Sequence, residues 1–160
     1  MIYGGGGAKE TWDGNDTLYG DDGDDRIYAQ FGNDRLTGGA GLDKLGGGLG
    51  NDIFDYNAVT ESKPGAGRDV VLDFNGVGAA AGDRVDLSSI DANAGVGGNQ
   101  AFAFKGTGAI TGPGQVHVVA SGADTLIQAN TGGTTAPELE ILVKDATATP
   151  AQWVGGDFIL

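Results

Sequence analysis

The apolar positions in the first third of the chain fall on a nine-residue beat: Leu18, Ile27, Leu36, Leu45 and Phe54. Each is the middle of an x-apolar-x segment, TLY, RIY, RLT, KLG and IFD, with glycine-rich sequence between one segment and the next. Three residues are too few to nucleate a helix, and a spacing of nine does not sustain the 3.6-residue period of one. The segments fit three-residue strands whose central side chain turns into a core. Further along, VVLDF (70–74), RVDLS (84–88), AFAFKG (101–106), QVHVVA (115–120), DTLIQA (124–129) and LEILV (139–143) are strand-like runs separated by Gly, Pro, Asn and Ser clusters. The pattern predicts an all-β chain in three parts: a flank over 1–10, a repeat over 11–55, and a mostly antiparallel sheet or sandwich over 56–160.

The residues between the short strands change this picture from architecture to chemistry. Aspartate recurs at Asp16, Asp25, Asp34, Asp43 and Asp52, each two residues before its apolar partner, and glycine recurs two residues earlier at Gly14, Gly23, Gly32, Gly41 and Gly50. In the last two copies the motif begins with a further pair, Gly38-Gly39 and Gly47-Gly48; the first three hold Thr11-Trp12, Gly20-Asp21 and Ala29-Gln30, and looser loops are expected there. Glycine makes up 32 of 160 residues, far above the usual level of about 7%. It tolerates φ > 0 and lets backbone carbonyls converge, so the glycine half of each nonad is suited to a tight turn with its oxygens facing inward. The aspartate adds a carboxylate to that turn. Calcium takes six to eight hard oxygens at about 2.3–2.6 Å in a tolerant geometry, whereas magnesium keeps its waters, so Ca2+ is the expected ion. Charge agrees: 22 acidic against 9 basic residues give a net −13, with no Lys/Arg run to attract nucleic acid or anionic lipid.

The repeated Gly-Gly-x-Gly-x-Asp-x-apolar-x pattern resembles the RTX, or hemolysin-type, calcium-binding nonapeptides, which form a parallel β-helix. That resemblance implies a right-handed parallel β-roll with two nonads per turn, loops two nonads apart stacking on one side, and calcium sandwiched between them. Applied to this sequence, it pairs Asp16 with Asp34, Asp34 with Asp52, and Asp25 with Asp43, for about three ions and possible extra ones at the roll ends. Gly14, Gly23, Gly32, Gly41, Gly50, Gly39 and Gly48 would shape the loops and supply carbonyls. The segment from Phe54, FDYNAVTESKPGAGRDVVLDF, is similar to the stretch after the roll in serralysin-type secreted metalloproteases. By that similarity Glu61 and Asp69 close the last calcium site, next to the loop of Asp52, with Asp73 a weaker candidate.

Catalytic chemistry finds no support in the residues. The zinc motif His-Glu-x-x-His is absent, cysteine is absent, and the single histidine, His117, stands in a strand-like run where a half-buried structural role is expected. No GxGxxG, Walker-type or EF-hand loop occurs. The aspartate spacing is that of ligands and not of an acid and base pair. The first ten residues, MIYGGGGAKE, have no basic n-region and no apolar h-region and so do not read as a Sec-type signal peptide, and no run of 18 apolar residues occurs. The C-terminal Asp157-Phe158-Ile159-Leu160 resembles the uncleaved tail by which RTX proteins leave the cell through type I secretion. The expectation is a monomeric, non-catalytic, extracellular module that folds on binding calcium and meets the type I secretion apparatus, cut from a larger protein. The alternative is a carbohydrate- or surface-binding module of the kind attached to alginate epimerases.

Overall fold

The computed structural model describes residues 1–3, 14–144 and 148–160; Thr11 and Trp12, with most of the 1–10 flank, lie outside the described residues. Strands β2 (Thr17–Tyr19), β3 (Arg26–Tyr28), β4 (Arg35–Thr37), β5 (Lys44–Gly46) and β6 (Ile53–Asp55) carry the nine-residue beat, and β1 (Ile2–Tyr3), off that beat, pairs parallel with β3. After them come β7 (Asp69–Val71), β8 (Arg84–Asp86), β9 (Ala103–Phe104), β10 (Gln115–Ser121), β11 (Asp124–Asn130), β12 (Leu139–Val143) and β13 (Phe158–Ile159). Successive repeat strands alternate between two sheets, ordered β1-β3-β5-β7-β12-β11-β10-β9 and β13-β8-β6-β4-β2. Two nonads therefore make one turn of a parallel β-roll. Pairing is in register: Leu18 opposite Leu36, Leu36 opposite Phe54, and Ile27 opposite Leu45.

The apolar column fills the space between the sheets. Ile27, Leu36, Leu45 and Phe54 are completely buried, and Leu18 at the open end is half-buried. A fully buried side chain of this size contributes about 1.5–3 kcal/mol, so a one-residue-wide core holds the roll only weakly.

The roll does not stop with the nonads. β7 continues one sheet, with Val71 opposite Leu45, and β8 continues the other, with Val85 opposite Phe54. β13 adds the last rung, Phe158 opposite Val85. The antiparallel strands do not form a separate layer stacked on the roll. Instead β12 pairs parallel with β7, and β11 and β10 follow antiparallel, so they prolong one sheet edge to edge. The physical reason is that β7 would otherwise present an open edge of unpaired backbone groups. Val116, Val118, Ile127, Ala129, Leu139, Ile141 and Val143 bury their inner face. Phe74, Trp153 and Phe158 close the end in a tilted aromatic stack, with centroids 4.8 Å and 5.6 Å apart.

The loops hold one conformation whether or not glycine is present. Gly39 and Gly48 have φ of 92° and 95°, and at the equivalent positions Asp21 and Gln30 have φ of 65° and 80°. The expected looseness of the early loops is therefore not seen at these positions: stacking imposes a left-handed backbone on non-glycine residues despite its cost of about 1–2 kcal/mol. Where one loop lies on the next the constraint is steric, since a Cβ on Gly50 would overlap the carbonyl oxygen of Gly32. Gly14, at the open end of the same column, has nothing within 4 Å of that position. Gly50→Ala is expected to destabilise the folded chain by about 3 kcal/mol, as overpacking against backbone does, and Gly14→Ala by less than about 0.5 kcal/mol. Equal losses in urea denaturation of the two variants would contradict the stacking of these loops.

Candidate metal centre

Each repeat aspartate sits at the corner where a glycine turn enters a strand, and stacking at intervals of 18 residues puts it beside the aspartate one turn away. From the second turn on, its Oδ1 accepts the backbone N–H of the aspartate one turn earlier. The N–H of Asp16 donates to Asp34 at 2.7 Å, that of Asp34 to Asp52 at 2.9 Å, and that of Asp25 to Asp43 at 2.7 Å. The three pairings expected from the repeat are therefore all brought together. Asp43 and Asp52 are essentially inaccessible, and Asp34 nearly so.

The ladders extend beyond the repeat. The N–H of Asp43 donates to Asp69 Oδ1 at 2.9 Å, and that of Asp52 to Asp83 Oδ1 at 2.8 Å. One column thus runs Asp16, Asp34, Asp52, Asp83, and the other Asp25, Asp43, Asp69. The expectation that Asp69 and Glu61 close the loop of Asp52 is corrected here. Asp69 closes Asp43, because β7 lies on β5, and Asp83 takes the place next to Asp52, because β8 lies on β6. Asp83 escaped the sequence reading because it follows Asp52 by 31 residues, not 18. Its signal was the pattern Asp-Arg-Val-Asp-Leu, an aspartate two residues before a buried valine.

Asp73 also caps this end. It accepts the N–H of Gly47 at 2.9 Å and of Gly48 at 3.1 Å, while the Asn75 side chain donates to the Gly48 carbonyl at 3.1 Å. Asn75 and Asp83 are tied together by N–H donation at 2.8 Å. Glu61 receives the N–H of Asn57 at 3.0 Å and stands close enough to Asp43 and Asp69 to repel both.

These carboxylates are electrostatically costly. Burial pushes the Asp69 carboxyl up to about 8, against the stabilising Asp43 N–H and with further repulsion from Asp43. Burial likewise pushes Asp83 up to about 7, and raises Asp43, Asp52, Asp73 and Glu61. The Tyr56 phenol, buried beside Asp69 and Asp43, is driven well above its ordinary range by desolvation and by those charges.

The donors present fit a hard cation. The second carboxylate oxygens of Asp16, Asp43 and Asp52 are buried with no hydrogen-bond partner, which costs free energy unless something positive faces them. Asp43 Oδ2 and Asp52 Oδ2 lie where a Cβ on Gly38 or Gly47 would intrude. In the same way the carbonyls of Asp21 and Gly23 press on Gly39 and Gly41, and those of Gln30 and Gly32 on Gly48 and Gly50. Among the described residues no three acidic or histidine side chains converge as a ready-made cage. An ion between two loops would therefore draw most of its oxygens from backbone carbonyls, a donor set that suits calcium. His117, by contrast, is structural: buried in β10, its Nδ1 meets the Gly108 carbonyl and its Nε2 the Gln128 Oε1, each at 2.8 Å.

Comparison with known proteins agrees with this geometry. Residues 13–36 and 19–54 match the RTX calcium-binding nonapeptide repeat (4 copies). Among solved structures, the AlgE6R3 subunit of the Azotobacter vinelandii mannuronan C5-epimerase is similar at 26% identity and a TM-score of 0.53, over 92% of this chain and 78% of that one. The AlgE6R2 subunit of the same epimerase is similar in fold, at 23% identity and a TM-score of 0.56, over 92% and 88%. No curated protein matches the chain. Residues 13–54 are thus RTX calcium-binding nonapeptide repeats, and from residue 14 on they are wound into a parallel β-roll that β7, β8 and β13 prolong.

Proposed function

We propose that the chain is a non-catalytic module of a secreted protein whose folding is driven by calcium held between stacked loops. The observation that carries this reading is the set of buried second oxygens of Asp16, Asp43 and Asp52 with no hydrogen-bond partner, those of Asp43 and Asp52 set against the glycine loops at Gly38 and Gly47. Five sandwiches follow from the two ladders: Asp16 with Asp34, Asp34 with Asp52, Asp52 with Asp83, Asp25 with Asp43, and Asp43 with Asp69. Glu61 joins the last of these, and the loop glycines, Gly14 through Gly50 with Gly39 and Gly48, lend shape and carbonyls. Residues 11–55 supply the repeat, and 56–160 close the roll. In the proposed sequence of events the tail from Asp157 to Leu160 is read by a type I exporter while the chain is unfolded. It then becomes the edge strand β13, with Asp157 buried and accepting the N–H groups of Gly78 and Val154.

A second reading, binding of an acidic polysaccharide, is favoured by one arrangement. Arg26 and Lys44, 18 residues apart, are in register on the outer face of the longer sheet, and the Tyr28 ring lies over Gly46. The similar epimerase subunits lend this reading weight. Equilibrium dialysis of the calcium-loaded chain against polymannuronate, with Arg26→Ala and Lys44→Ala as controls, separates it from the first.

Binding free energy at these sites is folding free energy. In EDTA at neutral pH the acidic, glycine-rich roll is expected to lose its β circular dichroism, and millimolar calcium to restore it. Asp83→Ala, outside the repeat, is expected to raise the calcium concentration at the folding midpoint, though by less than Asp34→Ala, which serves two sandwiches where Asp83 serves one. A midpoint unmoved by Asp83→Ala would confine the ions to the nonads.

The raised carboxyls give a pH signature with a definite sign. A group whose proton is held more tightly in the folded chain adds stability that is present at low pH and lost as pH rises through its folded value. For Asp83, raised from 3.8 to about 7, and Asp69, raised from 3.8 to about 8, the window runs from about pH 4 to about pH 8. Calcium-free chain is expected to regain β signal on acidification from about pH 8 towards about pH 4, and calcium binding near pH 7 to release protons. A calcium-free signal that fell on acidification within that window would contradict the assignment.

A further inference from the structure

Resting on the calcium reading, we propose that Glu140 is the positioning residue for the calcium loop closed by Asp43, Asp69 and Glu61. It acts through no contact with the ion. The loop from 62 to 68, SKPGAGR, leads into Asp69, and its single 3-10 turn, Gly65–Gly67, buries nothing. With no apolar anchor, such a loop has no intrinsic reason to hold one position. What holds it is Glu140, on β12 and only 7% exposed.

The clasp has two hands. Through its carboxylate, Glu140 accepts the N–H of Gly65 at 2.8 Å and the Arg68 guanidinium at 3.0 Å on Oε2, and the Gln128 amide at 2.6 Å on Oε1. Through its backbone, its N–H donates to the Ser62 carbonyl at 3.0 Å, and its carbonyl accepts the Ser62 hydroxyl. That same Ser62 Oγ accepts the N–H of Asp69 at 2.8 Å, and Asp69 Oδ1 accepts the N–H of Asp43. Ser62 therefore takes, at the end of this column, the place that an aspartate of a further turn would have filled. Continuous hydrogen bonding runs from Glu140 through Ser62 to Asp69 and Asp43, and on the other side through Gln128 to His117. Outer partners of this kind orient metal ligands, and their loss weakens metal affinity roughly 10- to 100-fold.

Terbium, a calcium surrogate excited through nearby tyrosine, reads this site because the Tyr56 phenol is buried beside Asp69. The part of the emission lost in Tyr56→Phe belongs to the Asp43–Asp69 site, and the remainder to other loops. In the full chain, Glu140→Ala is expected to raise the terbium midpoint of the Tyr56-dependent phase about 10-fold and Glu140→Gln, which keeps length and one acceptor, about 3-fold. The other phases should move less than about 2-fold. If Glu140→Ala does not fold, Glu140→Gln decides by the same criterion. A Tyr56-dependent phase that does not move, or a uniform shift of every phase, would overturn the positioning role while leaving calcium binding standing. Wild-type chain showing no terbium emission that calcium displaces would overturn the calcium reading and the clasp with it.

Discussion

Aspartate stacked on aspartate is the interaction on which the rest of the molecule depends. Each carboxylate spends one oxygen on the backbone N–H of the rung before it, which fixes the spacing of the rungs and the register of both sheets. The same act buries a negative charge a few ångströms from the next one. With a core only one side chain wide, the apolar column of Ile27, Leu36, Leu45 and Phe54 has little surplus to set against that repulsion. The fold is therefore conditional: the geometry that the ladder creates is stable when the leftover oxygens face either protons or a cation.

Several features become intelligible once that condition is accepted. Glycine is demanded where a loop presses on its neighbour, as at Gly50 under Gly32, and not at the open end. Asp21 and Gln30 are held in left-handed backbone because their carbonyls must lie over Gly39 and Gly48. The columns must also end, and they end differently. One closes with Ser62 beneath Asp69; the other with Asp83, Asp73 and Asn75 gathered around the loop of Asp52.

How much of this the sequence discloses depends on whether the spacing is kept. The five aspartates, their glycines and the buried partners Ile27 to Phe54 are legible because the period never slips, and the alternation of the strands between two sheets is what the resemblance to the RTX nonapeptides implies. Beyond Phe54 the rungs persist while their spacing stretches, so Asp69 is found by resemblance but set on the wrong neighbour, and Asp83 is missed. The edge-to-edge continuation through β12 is invisible for a different reason: a strand's own pattern says which face is buried, not which edge it joins. Glu140 is the extreme case, since its partners Ser62, Gly65 and Arg68 lie more than 70 residues away.

The account turns on whether ions occupy both ladders along their whole length, post-repeat rungs included. Native mass spectrometry of the chain refolded in calcium counts them directly. Five bound ions, falling to four when Asp83 is replaced by alanine, is the predicted result. Three ions unaffected by that replacement would confine calcium to the nonads, and none would remove the central claim.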